Sequence, residues 1–202
     1  MDLVDRTKSI LLRPKQEWQV IDGEETSVGG LFIGYIVPLA AIGPVASIIG
    51  MEIFGIWVPS AGTYRVPIGA AFQQGVAHYV MAIVGVFVLA LIIDELAPYF
   101  RVEENRYQAL KVAAYSSTPV WVAGIVGLFP MLNILRLVGL LYSLFLLYLG
   151  LPVLMRVPQE KAMRYSVVVM ISAVVLFFVI GFIVALLGGG PVIETAGPFP
   201  SA

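Results

Sequence analysis

The chain has 202 residues, of which 59% are hydrophobic and 12% charged, with a formal net charge of -1. A soluble domain carries about twice that share of charge, so most of this surface meets hydrocarbon, and no basic excess points to nucleic acid as a partner. Cysteine is absent and His78 is the one histidine, which excludes disulfides, thiolate metal sites and a multi-histidine metal centre within one chain. No motif calls for a cofactor or a metal.

Residues 1–27 read as a cytoplasmic amphipathic tail. "MDLVDRTKSILLRPKQEW" has scattered charges, no continuous apolar core and no small-residue cleavage site, so it does not read as a signal peptide. Leu3, Val4, Ile10 and Leu11 share one helical face, and Arg13-Pro14 interrupts that helix. Pro14 suits the first turn of a second short helix carrying Trp18, Val20 and Ile21. Trp18 beside basic residues suits the headgroup region, which lays both short helices on the inner leaflet. Packing of the tail on cytoplasmic loops is the alternative.

Residues 28–187 read as an all-α integral membrane domain with five transmembrane helices. A span needs about 20 mainly apolar residues, and five stretches qualify: Val28–Met51, Val76–Ile93, Lys111–Phe129, Asn133–Leu154 and Ser166–Leu187. The connection over 52–75 is broken repeatedly by Gly, Pro and Ser and reads as a loop. The Gly/Pro-rich residues 188–202 read as a disordered extracytoplasmic tail. Of the 12 Lys and Arg residues, all but Arg65 and Arg136 fall in the tail or near the connections after the second and fourth spans. The positive-inside rule therefore places the N-terminus in the cytoplasm and the C-terminus outside.

Polar groups in lipid are costly and mark the candidate sites. In the third span, "LKVAAYSSTPVWVAG" sets Tyr115, Ser116, Ser117 and Thr118 before Pro119. Proline has no N–H and clashes with the carbonyl four residues back, here that of Tyr115. The hydroxyls either repair that kink or line a polar pocket for a small solute or cation. At the cytoplasmic boundary, Asp94 or Glu95 is placed to pair with Lys111. At the outer end lie Glu52, His78, Asn133 and Arg136, with Arg136 able to snorkel outward or pair with Glu52. Gly30 with Gly34 and Gly181 with Ala185 are small-residue pairs that would let helices approach, within the chain or in a homo-oligomer. Tyr142 and Tyr148 read as bundle packing. Ser116 and Ser117 stand five and six residues from Lys111, on other helical faces, so no serine–lysine nucleophile forms and the chain does not read as an enzyme.

"ALKVAAYSSTPVWVAGI", Pro130, "LLYSLFLLYLGLPVLM" and "VPQEKAMRY", with "RPKQEW" and "ELAPYF", resemble the bacterial branch of the Yip family over about residues 5–187. These are five-span membrane proteins named for interaction with Ypt/Rab GTPases in eukaryotes. The resemblance implies a five-helix bundle with a cytoplasmic N-terminus in the cytoplasmic (inner) membrane. It implies a non-enzymatic role in organising lipid or partner proteins. The Asp-Leu-Tyr-Gly-Pro motif of the eukaryotic members has no counterpart here. The alternative is a permease or channel for a small solute or cation, using the kinked third span.

Overall fold

The computed structural model describes residues 2–58, 62–64 and 66–187, and the backbone alone at 56–58, 62–64, 130 and 133. The expected C-terminal tail at 188–202 lies outside the described residues. Among the described residues five helices are long and apolar enough to cross a membrane: span one Val28–Phe54, span two Ile68–Phe100, span three Arg106–Leu128, span four Arg136–Leu154 and span five Gln159–Leu187. Each observed helix differs from its apolar stretch at one end or both. Span two starts at Ile68, so residues 68–75 are helical rather than loop. An apolar window registers what lipid must cover, and a helix continues past that limit wherever its polar ends reach water.

Before span one, α1 (Leu3–Leu12) and α2 (Pro14–Gly23) form as the residues dictate. The Asp2 carboxylate accepts from the Leu3 N–H at the start of α1, and Pro14 occupies the first turn of α2. Between spans one and two, β1 (Ile56–Val58) and β2 (Gly62–Tyr64) pair antiparallel as a short hairpin, with Trp57 opposite Thr63.

Span three is the centre of the bundle. In its most apolar stretch 67% of residues are buried, against 11% in span five, which therefore lies at the edge. Span three packs on spans one, two and four, while span five packs on two and four. Glycines set the closest approaches. A Cβ on Gly124 would lie 2.6 Å from the Gly43 Cα, and one on Gly139 would lie 2.8 Å from the Pro119 carbonyl oxygen. Within the chain the expected small-residue pairs do not mediate the close approaches. A Cβ on Gly34 or Gly181 would meet nothing within 4 Å, and one on Gly30 would meet only its own entry turn at Thr26 and Ser27. Spacing alone does not say which helical face looks inward.

The tail packs against the bundle. Ile10, Trp18 and Ile21 are completely buried in the same core as spans three and four. A Cβ on Gly150 of span four would come within 2.6 Å of the Trp18 ring, so this glycine forms the seat of the indole. The Tyr142 hydroxyl donates to the Leu11 carbonyl at 2.6 Å, fastening α1 to span four, whereas Tyr148 faces outward. Ile10, Trp18 and Ile21 of the apolar pattern are thus covered by protein, whereas Val4, Leu12 and Val20 stay exposed.

Candidate functional site

Two interrupted helices meet beneath the tail. Span one widens into a π turn over Phe32–Ile36, where the Val37 N–H reaches back to the Phe32 carbonyl. Pro38 follows and has no N–H to offer Gly34, which accounts for a break at this position. Span three breaks at Ser117, between helical segments Arg106–Ser116 and Thr118–Ala123. The hydroxyl groups there turn back to the main chain. Thr118 Oγ1 donates to the Tyr115 carbonyl at 2.8 Å, the acceptor that Pro119 leaves without an N–H. Ser117 Oγ and Ser116 Oγ donate to the Ala113 carbonyl at 2.8 and 3.3 Å. On the other side of the break the Val120 N–H donates to Ser143 Oγ of span four at 3.3 Å. Ser116 and Thr118 are buried.

Tyr35 joins the two breaks. Its hydroxyl lies 2.7 Å from Thr118 Oγ1, and its ring packs on Tyr115 at 4.6 Å between centroids. Trp18 meets Tyr115 edge-on at 6.3 Å, and the Arg6 guanidinium lies 5.8 Å over the same ring. Arg6 is buried and forms ion pairs with Glu17 and Glu24. Burial opposes its charge, but the bond to Glu24 and the nearby Tyr115 and Glu17 outweigh that and hold its pKa above the ordinary arginine value.

Lys111 does not pair with Asp94 or Glu95. It is fully buried, and Nζ donates to the Ile21 and Glu24 carbonyls at 2.7 Å each, with the Tyr107 ring 5.1 Å away. A cation at the C-terminal end of α2 satisfies carbonyls that the helix leaves open and complements its dipole. Asp94 instead accepts from Arg106 Nε at 3.2 Å, and Glu95 is exposed. Residues 22–27 together with Tyr107, Gln108 and Lys111 enclose a cleft of about 470 Å³ at this end of the bundle.

At the opposite end Arg136 does not pair with Glu52, although His78 lies near enough to feel its charge. Glu52 and His78 are both exposed. The Asn133 side chain lies outside the described residues. Arg136 turns to Ser47, with Nη2 donating to its hydroxyl at 2.8 Å, and pairs with no carboxylate among the described residues. No group of acidic or histidine residues able to hold a metal ion occurs among the described residues. Sequence reasoning passed over Arg6, Tyr35 and Ser143. Tyr35 and Ser143 carried a usable signal as polar side chains inside apolar spans.

Five apolar helices around a polar, doubly interrupted centre define a polytopic α-helical membrane protein. The chain matches the Yip1 domain over residues 8–192 and belongs to that family. It is 28% identical over 157 residues to the inner membrane protein YohC of Escherichia coli strain K12, a match covering 76% of this chain and 80% of that protein. The same protein from Escherichia coli O6:H1 strain CFT073 matches to the same extent. No solved structure matches the chain.

Proposed function

We propose that this is a non-enzymatic protein of the inner membrane that organises lipid or partner proteins in membrane homeostasis, with its N-terminus in the cytoplasm and its C-terminus outside. The observation that carries the reading is that Ser116, Ser117 and Thr118 all donate to main-chain carbonyls of their own helix. The polar stretch is then a repaired helix break, with its hydroxyl protons committed to the main chain rather than offered to a solute. The name of the Escherichia coli relative supports the location, and the distribution of Lys and Arg supports the orientation.

A second reading, a permease or channel for a small solute or cation, is favoured by one observation. Two broken helices face each other through the Tyr35–Thr118 bond, and transporters build their binding sites from such helices. Flux of monovalent cations and small neutral solutes into proteoliposomes separates the two. The organiser reading expects flux no higher than in empty vesicles. Flux that disappears in Pro119→Ala or in Ser116→Ala with Ser117→Ala would establish the permease instead.

A further inference from the structure

We propose that Arg136 forms a phosphate site at the end of the bundle opposite the tail, taking the phosphodiester of a glycerophospholipid headgroup. The guanidinium is held in a built cradle. Its Nη2 occupies the space that a Cβ on Gly127 would fill, and it donates to Ser47 Oγ at 2.8 Å. Ser47 is itself fixed, donating to the Gly43 carbonyl at 2.8 Å. The cation is thus oriented by two other spans, yet among the described residues no carboxylate lies within ion-pair distance of it. Its Nε is enclosed and has no acceptor. An arginine cannot discharge by losing a proton at any ordinary pH, and an unpaired charge withdrawn from water is strongly disfavoured.

Depth identifies the counter-ion. Gly127 is the penultimate residue of span three and Arg136 the first of span four. The guanidinium is therefore level with the ends of the spans, where headgroup phosphates of that leaflet lie. Its fork of N–H donors matches a phosphate oxyanion. Free phosphate shares that chemistry, but only a lipid brings it to this depth with acyl chains lying along the apolar faces of the spans.

The test uses the full chain, delipidated in detergent. Phosphatidylglycerol, phosphatidylethanolamine, diacylglycerol or inorganic phosphate is added back, and retained lipid is read by native mass spectrometry and stability by thermal unfolding. The wild type should retain one phospholipid and be stabilised by it, with no equivalent effect of diacylglycerol. Loss of charge-assisted hydrogen bonds should weaken phospholipid retention roughly tenfold to a hundredfold in Arg136→Gln. Ser47→Ala, which keeps the charge but frees its orientation, should weaken it less, and Lys8→Gln should leave it unchanged. Unaltered retention in both Arg136→Gln and Ser47→Ala would overturn the site. Stabilisation by inorganic phosphate without any by phospholipid would overturn the lipid assignment. Loss of stability in Glu52→Gln equal to that in Arg136→Gln, with no lipid effect, would overturn it in favour of an internal ion pair.

Discussion

Arg6 ties α1 to Glu17 of α2 and to Glu24 just beyond it, and meets the bundle at the face of Tyr115. Removing one partner of a buried pair leaves the other charge uncompensated. Arg6→Ala should therefore cost about 3–5 kcal/mol, read from the unfolding free energy in detergent. Thr118 offers a sharper test of repair. In a Tyr35→Phe background, which removes the second hydroxyl, Thr118→Val leaves the Tyr115 carbonyl without a donor and should cost about 1–3 kcal/mol. Adding Pro119→Ala supplies a backbone N–H for that carbonyl, so the same Thr118→Val change should then cost much less. Equal costs in the two backgrounds would mean that the hydroxyl does not compensate for the proline. This chemistry was legible in the sequence because a proline's defect and the hydroxyls beside it are local. The partners of Lys111 and Arg136 were not legible. They are main-chain carbonyls 90 and 87 residues away and a hydroxyl 89 residues away, and no pattern of charges points to uncharged acceptors.

At the scale of elements, glycines decide which helices touch. Gly150 provides the seat for Trp18. Gly150→Val puts side-chain atoms where the indole ring lies and should cost about 1–3 kcal/mol, as overpacking does. The strain is most easily relieved by expelling α2, so the variant should be cut by trypsin at Lys8 or Lys15 faster than the wild type. An unchanged digestion pattern would mean that the tail is held without that seat. The existence of five spans followed from lengths of apolar sequence, and so did the two tail helices. Their neighbours did not, because apolar residues cover both lipid-facing and buried faces in a membrane and the inward glycines at 43, 124, 139 and 150 look no different in sequence from the outward ones at 34 and 181.

At the scale of the molecule, the proposed orientation can be tested directly, since the chain has no cysteine. Lys8 and Glu52 are both exposed and lie at opposite ends of the bundle. In intact cells a membrane-impermeant maleimide should label Glu52→Cys and should label Lys8→Cys only after the membrane is opened. The reverse pattern would invert the topology.

The docked tail also imposes an order of events during synthesis. Tyr142 and Leu11 are 131 residues apart, and the seat at Gly150 is made later still. At about 5–20 residues per second, α1 and α2 leave the ribosome roughly 7 to 26 seconds before span four exists to receive them. For that interval Ile10, Trp18 and Ile21 lack the cover that span four supplies, and the leaflet position suggested by their pattern suits the nascent chain. The first helices translated are then among the last to reach their final partners, so a delay in inserting span four leaves an unsheltered tryptophan at the cytoplasmic surface, available to chaperones and proteases.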